Sequence, residues 1–147
     1  MQVAINELPE NLTTLGSSAF WHAGPNVVIT KLPKHLEAIN GFTFTFCDNV
    51  CINEFGSDGS GSLLRYIGQQ SFLKAGKGNG GNGISSIYFG STVTEVEQNA
   101  FLEYCYPKLE NAYFVNNPET YIYDASSMGF TPSGVHVTFG FDENIGG

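Results

Sequence analysis

Leu15-Gly16-Ser17-Ser18-Ala19-Phe20, Ile39-Asn40-Gly41-Phe42-Thr43-Phe44, Ile67-Gly68-Gln69-Gln70-Ser71-Phe72 and Val96-Glu97-Gln98-Asn99-Ala100-Phe101 share one frame. An aliphatic residue leads, turn formers and polar residues follow, and a small residue precedes phenylalanine. The anchor phenylalanines lie 24, 28 and 29 residues apart. Self-similarity at roughly 20 to 50 residues marks stacked supersecondary units, because a unit of that size buries its apolar side only against the next one. The chain therefore reads as a solenoid, and solenoids usually serve as extended binding surfaces.

Working outward, each Phe follows a second aliphatic residue eight positions earlier: Leu12, Leu36, Leu64 and Val93. In three units a turn former stands three residues before that, at Pro9, Pro33 and Gly90. Runs with strand character come earlier still, at residues 3–8, 27–32, 50–55, 84–89 and 109–114. Their last residues, Leu8, Leu32, Phe55, Phe89 and Phe114, are expected to face a core. The two-residue period of a strand then turns the neighbours Glu7, Lys31, Glu54, Tyr88 and Tyr113 to solvent as one row. The approach to each Phe, with apolar residues three to five apart, suits a short helical turn.

The first three runs carry an oddity. Strict alternation points Asn6, Thr30 and Asn53 inward and Ile5, Ile29 and Ile52 outward. A one-residue shift swaps the two sets. Either a bulge turns the isoleucines into the core, or they form an exposed stripe that marks a partner or subunit interface.

Three stretches carry a resemblance: Leu12-Thr13-Thr14-Leu15-Gly16-Ser17-Ser18-Ala19-Phe20, Leu32-Pro33-Lys34-His35-Leu36-Glu37-Ala38-Ile39 and Val93-Thr94-Glu95-Val96-Glu97-Gln98-Asn99-Ala100-Phe101. They are similar to the unit of BspA-like leucine-rich repeats, Ile-Pro-x-x-Val-x-x-Ile-Gly-x-x-Ala-Phe-x-x-Cys-x-x-Leu, across roughly residues 3–115. The resemblance implies surface or secreted proteins that mediate adhesion, with similar repeats in phage and other mobile-element proteins. The family's Cys place, shortly after Phe, is filled by Cys47 and Cys105, which supports reading them as buried thiols. They belong to coils with another between them, too far apart for a disulfide.

The expected fold is α/β: a short right-handed solenoid with parallel strands on one face, helical turns on the other and a β-rich C-terminal cap. Residues 1–117 form the repeats, about four to five coils, and residues 118–147 the cap or an irregular tail. Two glycine-rich insertions, residues 56–62 and 76–83, fall where solenoids accept loops, on the rims. The tail keeps strand character at residues 121–123 and 135–141 but shows no Ala-Phe signature.

Composition narrows the function. A chain of 147 residues with 41% hydrophobic and 14% charged residues has room for one folded domain. A net charge of -8, from 14 acidic and 6 basic residues, repels nucleic acid and anionic lipid. There is no apolar run of about 18 residues to span a membrane. The start, Met1-Gln2-Val3-Ala4-Ile5-Asn6-Glu7, has no signal-peptide pattern, so the site of action is where the chain is made unless a longer parent carries an export signal.

Chemistry is sparse. The Gly76–Gly83 run has one lysine but no P-loop ending. Cys47 and Cys51 have no completing pair for zinc, since His22, His35 and His136 are scattered. No alternating oxygen-ligand loop for calcium occurs, and no nucleophile with an oriented base. Asn11-Leu12-Thr13 fits a glycosylation sequon around an expected core leucine. No catalytic residue, metal or cofactor is assigned. The function expected is non-enzymatic recognition of a protein or glycan through Glu7, Lys31, Glu54, Tyr88 and Tyr113, since tyrosine suits interfaces, although it also simply suits a pleated surface. The alternative is a virion or assembly component that packs on neighbouring subunits, or forms an oligomer, through an uncapped first strand at Val3.

Overall fold

The computed structural model describes residues 7–21, 23, 27–57, 60–78 and 84–141. In chain order the strands are β1 (Thr14–Leu15), β2 (Ala38–Ile39), β3 (Glu54–Phe55), β4 (Tyr66–Ile67), β5 (Ser86–Phe89), β6 (Glu95–Val96), β7 (Asn111–Phe114) and β8 (His136–Thr138), with one helical turn, α1 (Ala125–Met128), before β8. They stack into two parallel sheets, ordered β1-β2-β4-β6 and β3-β5-β7-β8. The solenoid expected from the repeats is present, with the chain passing from one sheet to the other within a coil, as from β3 to β4 and from β5 to β6. The aliphatic residue that leads each Phe frame is the buried second residue of a two-residue strand, and Leu15, Ile39, Ile67 and Val96 fall in register.

The wall bearing the phenylalanines differs from the expectation. Helix is confined to α1, 3-10 turns at Pro118–Thr120 and Thr131–Ser133 and 3-10 geometry at Gly78 among the described residues, and on the phenylalanine wall consecutive tight turns replace the helical turns. Two residues before each Phe the backbone is left-handed, at Ser18 (φ 61), Phe42 (φ 63), Gln70 (φ 53) and Asn99 (φ 56). A right-handed helix cannot propagate through such residues. Alternate N–H groups close turns within the coil, as Ser71 and Leu73 do by donating to Gly68 and Gln70 carbonyls. Those between reach the next coil: Gln70 donates to Gln98 O (3.1 Å) and Phe72 to Ala100 O (2.8 Å). A helix running across the stack would spend all its N–H groups on itself; the turns instead bond one coil to the next.

Inside, two ladders of aromatic rings fill the space. Phe20, Phe44, Phe72 and Phe101 stack at centroid spacings of 5.5, 5.3 and 5.1 Å. From the facing sheet Phe55, Phe89 and Phe114 stack at 4.9 and 4.3 Å. The ladders meet edge to face, as where Phe55 meets Phe72 at 83° and Phe101 at 81°. Both arrangements suit the aromatic quadrupole, and each such pair adds roughly 0.5–1.5 kcal/mol beyond the area it buries.

Both ladders run on into the tail. Phe130 stacks on Phe101 at 5.2 Å and Phe139 on Phe114 at 4.9 Å, while β8 extends the second sheet in parallel register with β7. The turn wall continues too, with Asn99 and Phe101 donating to the Ser127 and Met128 carbonyls. Phe130 lies 29 residues after Phe101, the spacing of the preceding step. Its frame escapes notice because Gly129 replaces the small Ala at a left-handed position (φ 101), where an added Cβ would lie 2.6 Å from Leu102 N.

The isoleucine oddity resolves as a bulge. Ile29 and Ile52 are 1% and 0% exposed, so the exposed stripe is not formed there; Ile5 lies outside the described residues. Two successive residues point outward instead, Thr30-Lys31 and Asn53-Glu54, one more than in the regular Ile87-Tyr88-Phe89 of β5. Burying the isoleucine outweighs regular pairing, and the ladder is interrupted: the runs at 27–32 and 50–55 meet at the isolated bridge Ile29↔Val50 rather than along a continuous strand pair. At Ile52 the Tyr104 hydroxyl takes the place of a neighbouring strand. It accepts from Ile52 N–H (2.7 Å) and donates to Ile52 O (2.6 Å).

Candidate functional site: the outer face of the second sheet

The outward residues of β3, β5, β7 and β8 form a straight column, because parallel register aligns Glu54 with Tyr88, Tyr88 with Tyr113 and Tyr113 with Thr138. The Tyr88 and Tyr113 rings stack at 5.2 Å and 16°. Tyr88 is 39% exposed and Glu54 is exposed beside it. A third ring joins them. After β8, Gly140 in the left-handed region (φ 70) turns the chain back, Phe141 N–H donates to Phe114 O (2.8 Å), and the Phe141 ring comes to 4.9 Å from Tyr113 and 6.0 Å from Tyr88. Nothing in the tail's composition points to Phe141; only the path of the chain after β8 brings it there.

Glu7 and Lys31 are exposed at the other end of the array. With Leu8, Glu10, Thr30 and Pro33 they line a cleft of about 770 Å³. The structure thus brings Glu54, Tyr88 and Tyr113 together, and places Glu7 and Lys31 in a separate recess at the first coils. The strand from Val3, on which the assembly reading rests, lies largely outside the described residues.

The thiols are unreactive by environment. Cys47 is buried and its Sγ donates to Phe20 O (2.9 Å). Burial pushes its pKa up to about 11 and that of Cys105 up to about 12, and burial also raises Cys51. All three are free, and the upward shifts disfavour the thiolate that nucleophilic chemistry needs. Among the described residues no group of three or more His, Cys, Asp or Glu side chains is placed to hold a metal ion, and no helix is long and apolar enough to cross a membrane. In the first insertion Ser57 and Ser60 pair in an isolated antiparallel bridge. The second is anchored at its start by Gly76 and Gly78 N–H donating to the Cys47 and Asp48 carbonyls.

The family model for the BspA type leucine rich repeat region matches residues 4–108 in six copies. The chain belongs to the BspA-type leucine-rich repeat family. No curated protein and no solved structure matches it. The BspA-type match ends at residue 108, whereas the parallel stacking continues through Thr138. Its repeats make this chain a repeat-based protein-interaction module of a kind that is typically a non-enzymatic scaffold.

Proposed function

We propose that this chain recognises a protein partner through the outer face of its second sheet, as a non-enzymatic module of an adhesion-type protein. The observation that carries the reading is the in-register column Glu54-Tyr88-Tyr113, with its rings stacked 5.2 Å apart. Tyrosines offer large contact area with few rotamers to freeze, which favours them at interfaces. The stacking favours a protein over a glycan as the partner. A sugar lies flat on an aromatic face, but each of these two rings has one face turned to the other, which halves the flat aromatic surface left to a sugar. Such a row meets the side chains and amides of a polypeptide better than it meets a pyranose.

The test is the double substitution Tyr88→Ala and Tyr113→Ala, measured by titration calorimetry against a partner identified by cross-linking. Affinity is expected to fall at least about tenfold, because buried aromatic anchors dominate interfaces, while thermal unfolding shifts little. Unchanged affinity in a folded double variant would move the site off this face.

A further inference from the structure

The column does not end symmetrically. Tyr113 covers one face of Tyr88 at 5.2 Å, and Phe141 closes on the same pair from the side of the last coil at 6.0 and 4.9 Å. On the opposite side the next residue in register is Glu54, a carboxylate rather than a ring. Among the described residues no ring stands on that side of Tyr88, and the strand that carries the Glu54 carboxylate lies one strand spacing, about 4.8 Å, away. No ion pair involves Glu54 among the described residues: its carboxylate accepts from the Ser57 hydroxyl at 3.4 Å, while Lys77–Glu103 is the salt bridge they contain. Lys31, exposed on the far side of Glu54, makes no ion pair with them either.

Resting on the reading that this face binds a protein, we infer that the notch between Tyr88 and Glu54 receives an arginine side chain of the partner. A guanidinium is planar, so it lies on the Tyr88 ring as the next rung of the stack and is attracted by the ring's negative face. In that place its forked N–H groups meet the Glu54 carboxylate edge-on, the geometry that gives a two-bond charged pair. An ammonium gains the attraction but not the stacking or the fork. The charge of the whole chain, -8, draws a basic segment towards it. A carboxylate directly beside an aromatic face does not favour an acidic or apolar side chain.

The experiment uses a random heptapeptide library displayed on phage, selected on the full chain and counter-selected on the Tyr88→Ala/Tyr113→Ala variant. Selected sequences are then made as synthetic peptides, each with its arginine or with citrulline, the neutral isostere. Arginine is expected in the selected peptides, with affinity falling about tenfold or more on citrulline replacement and by a similar factor on Glu54→Gln. Glu54 is exposed, so that variant folds. Selected peptides that need the tyrosines but carry no arginine, or that bind Glu54→Gln unchanged, overturn the inference and leave the binding face standing. A library that yields no binder lost on counter-selection overturns both.

Discussion

Two buried groups separate required polar contacts from wasted ones. Tyr104 gives its hydroxyl to both the N–H and the C=O of Ile52, groups left without a strand neighbour by the bulge. Burial holds its pKa well above the usual tyrosine value, so the neutral phenol persists as donor and acceptor. Tyr104→Phe leaves both backbone groups dry and unpaired, and is expected to lower stability by about 2 kcal/mol, read by urea unfolding. Ser71 is the converse. It stands where Ala19 and Ala100 stand in their frames, it is 0% exposed, and its hydroxyl has no partner. Ser71→Ala is expected to raise stability by about 1 kcal/mol; a loss in the same assay would mean that the hydroxyl is satisfied. The Ser71 slot was legible as a small residue, whereas the Tyr104 contact was not, because it joins residues 52 positions apart through a defect in pairing.

At the scale of the coil, close approach between neighbours decides which glycines are replaceable. An added Cβ at Gly90 would lie 2.1 Å from Gly56 O, backbone of the preceding coil, whereas at Gly16 it would meet nothing within 4 Å. Gly90→Ala is expected to cost more than about 3 kcal/mol, since neither coil yields without breaking a bond such as Gly90 N–H to Phe55 O (2.8 Å), and Gly16→Ala less than about 1 kcal/mol. Comparable melting temperatures for the two variants would show that the coils slide freely. Sequence reading marked Gly90 as a turn residue without distinguishing it from Gly16, because both punctuate a repeat. The same blindness turned the wall into helical turns: apolar spacings of three to five occur in a helix and in consecutive tight turns alike. Left-handed residues such as Asn99 separate the two, and Asn and Gln there are compatible with either.

In a repeat array each coil is held by its neighbours, so stability approximates a sum of coil and interface contributions. Inner coils, bonded on both sides, should open last. Hydrogen exchange at equivalent wall amides checks this: Gln70 and Phe72 should be protected more than about tenfold better than Ser18 and Phe20, although all four donate to the next coil. Equal protection would make the array a single unit. The sequence by itself determined the repeating frame, and through it the parallel stack, its aromatic ladders and its family, because a pattern repeated four times states which side chains must be buried together. It also marked Glu7, Lys31, Glu54, Tyr88 and Tyr113 as one outward row, of which the structure aligns the last three in register. Only the tertiary structure decided that Ile29 and Ile52 turn inward, that Phe130 and Phe139 extend the ladders into the tail, and that Phe141 closes one end of the tyrosine pair while Glu54 faces the other. Those outcomes depend on where one coil lies against the next, a balance of burial against pairing across the stack that no single repeat contains.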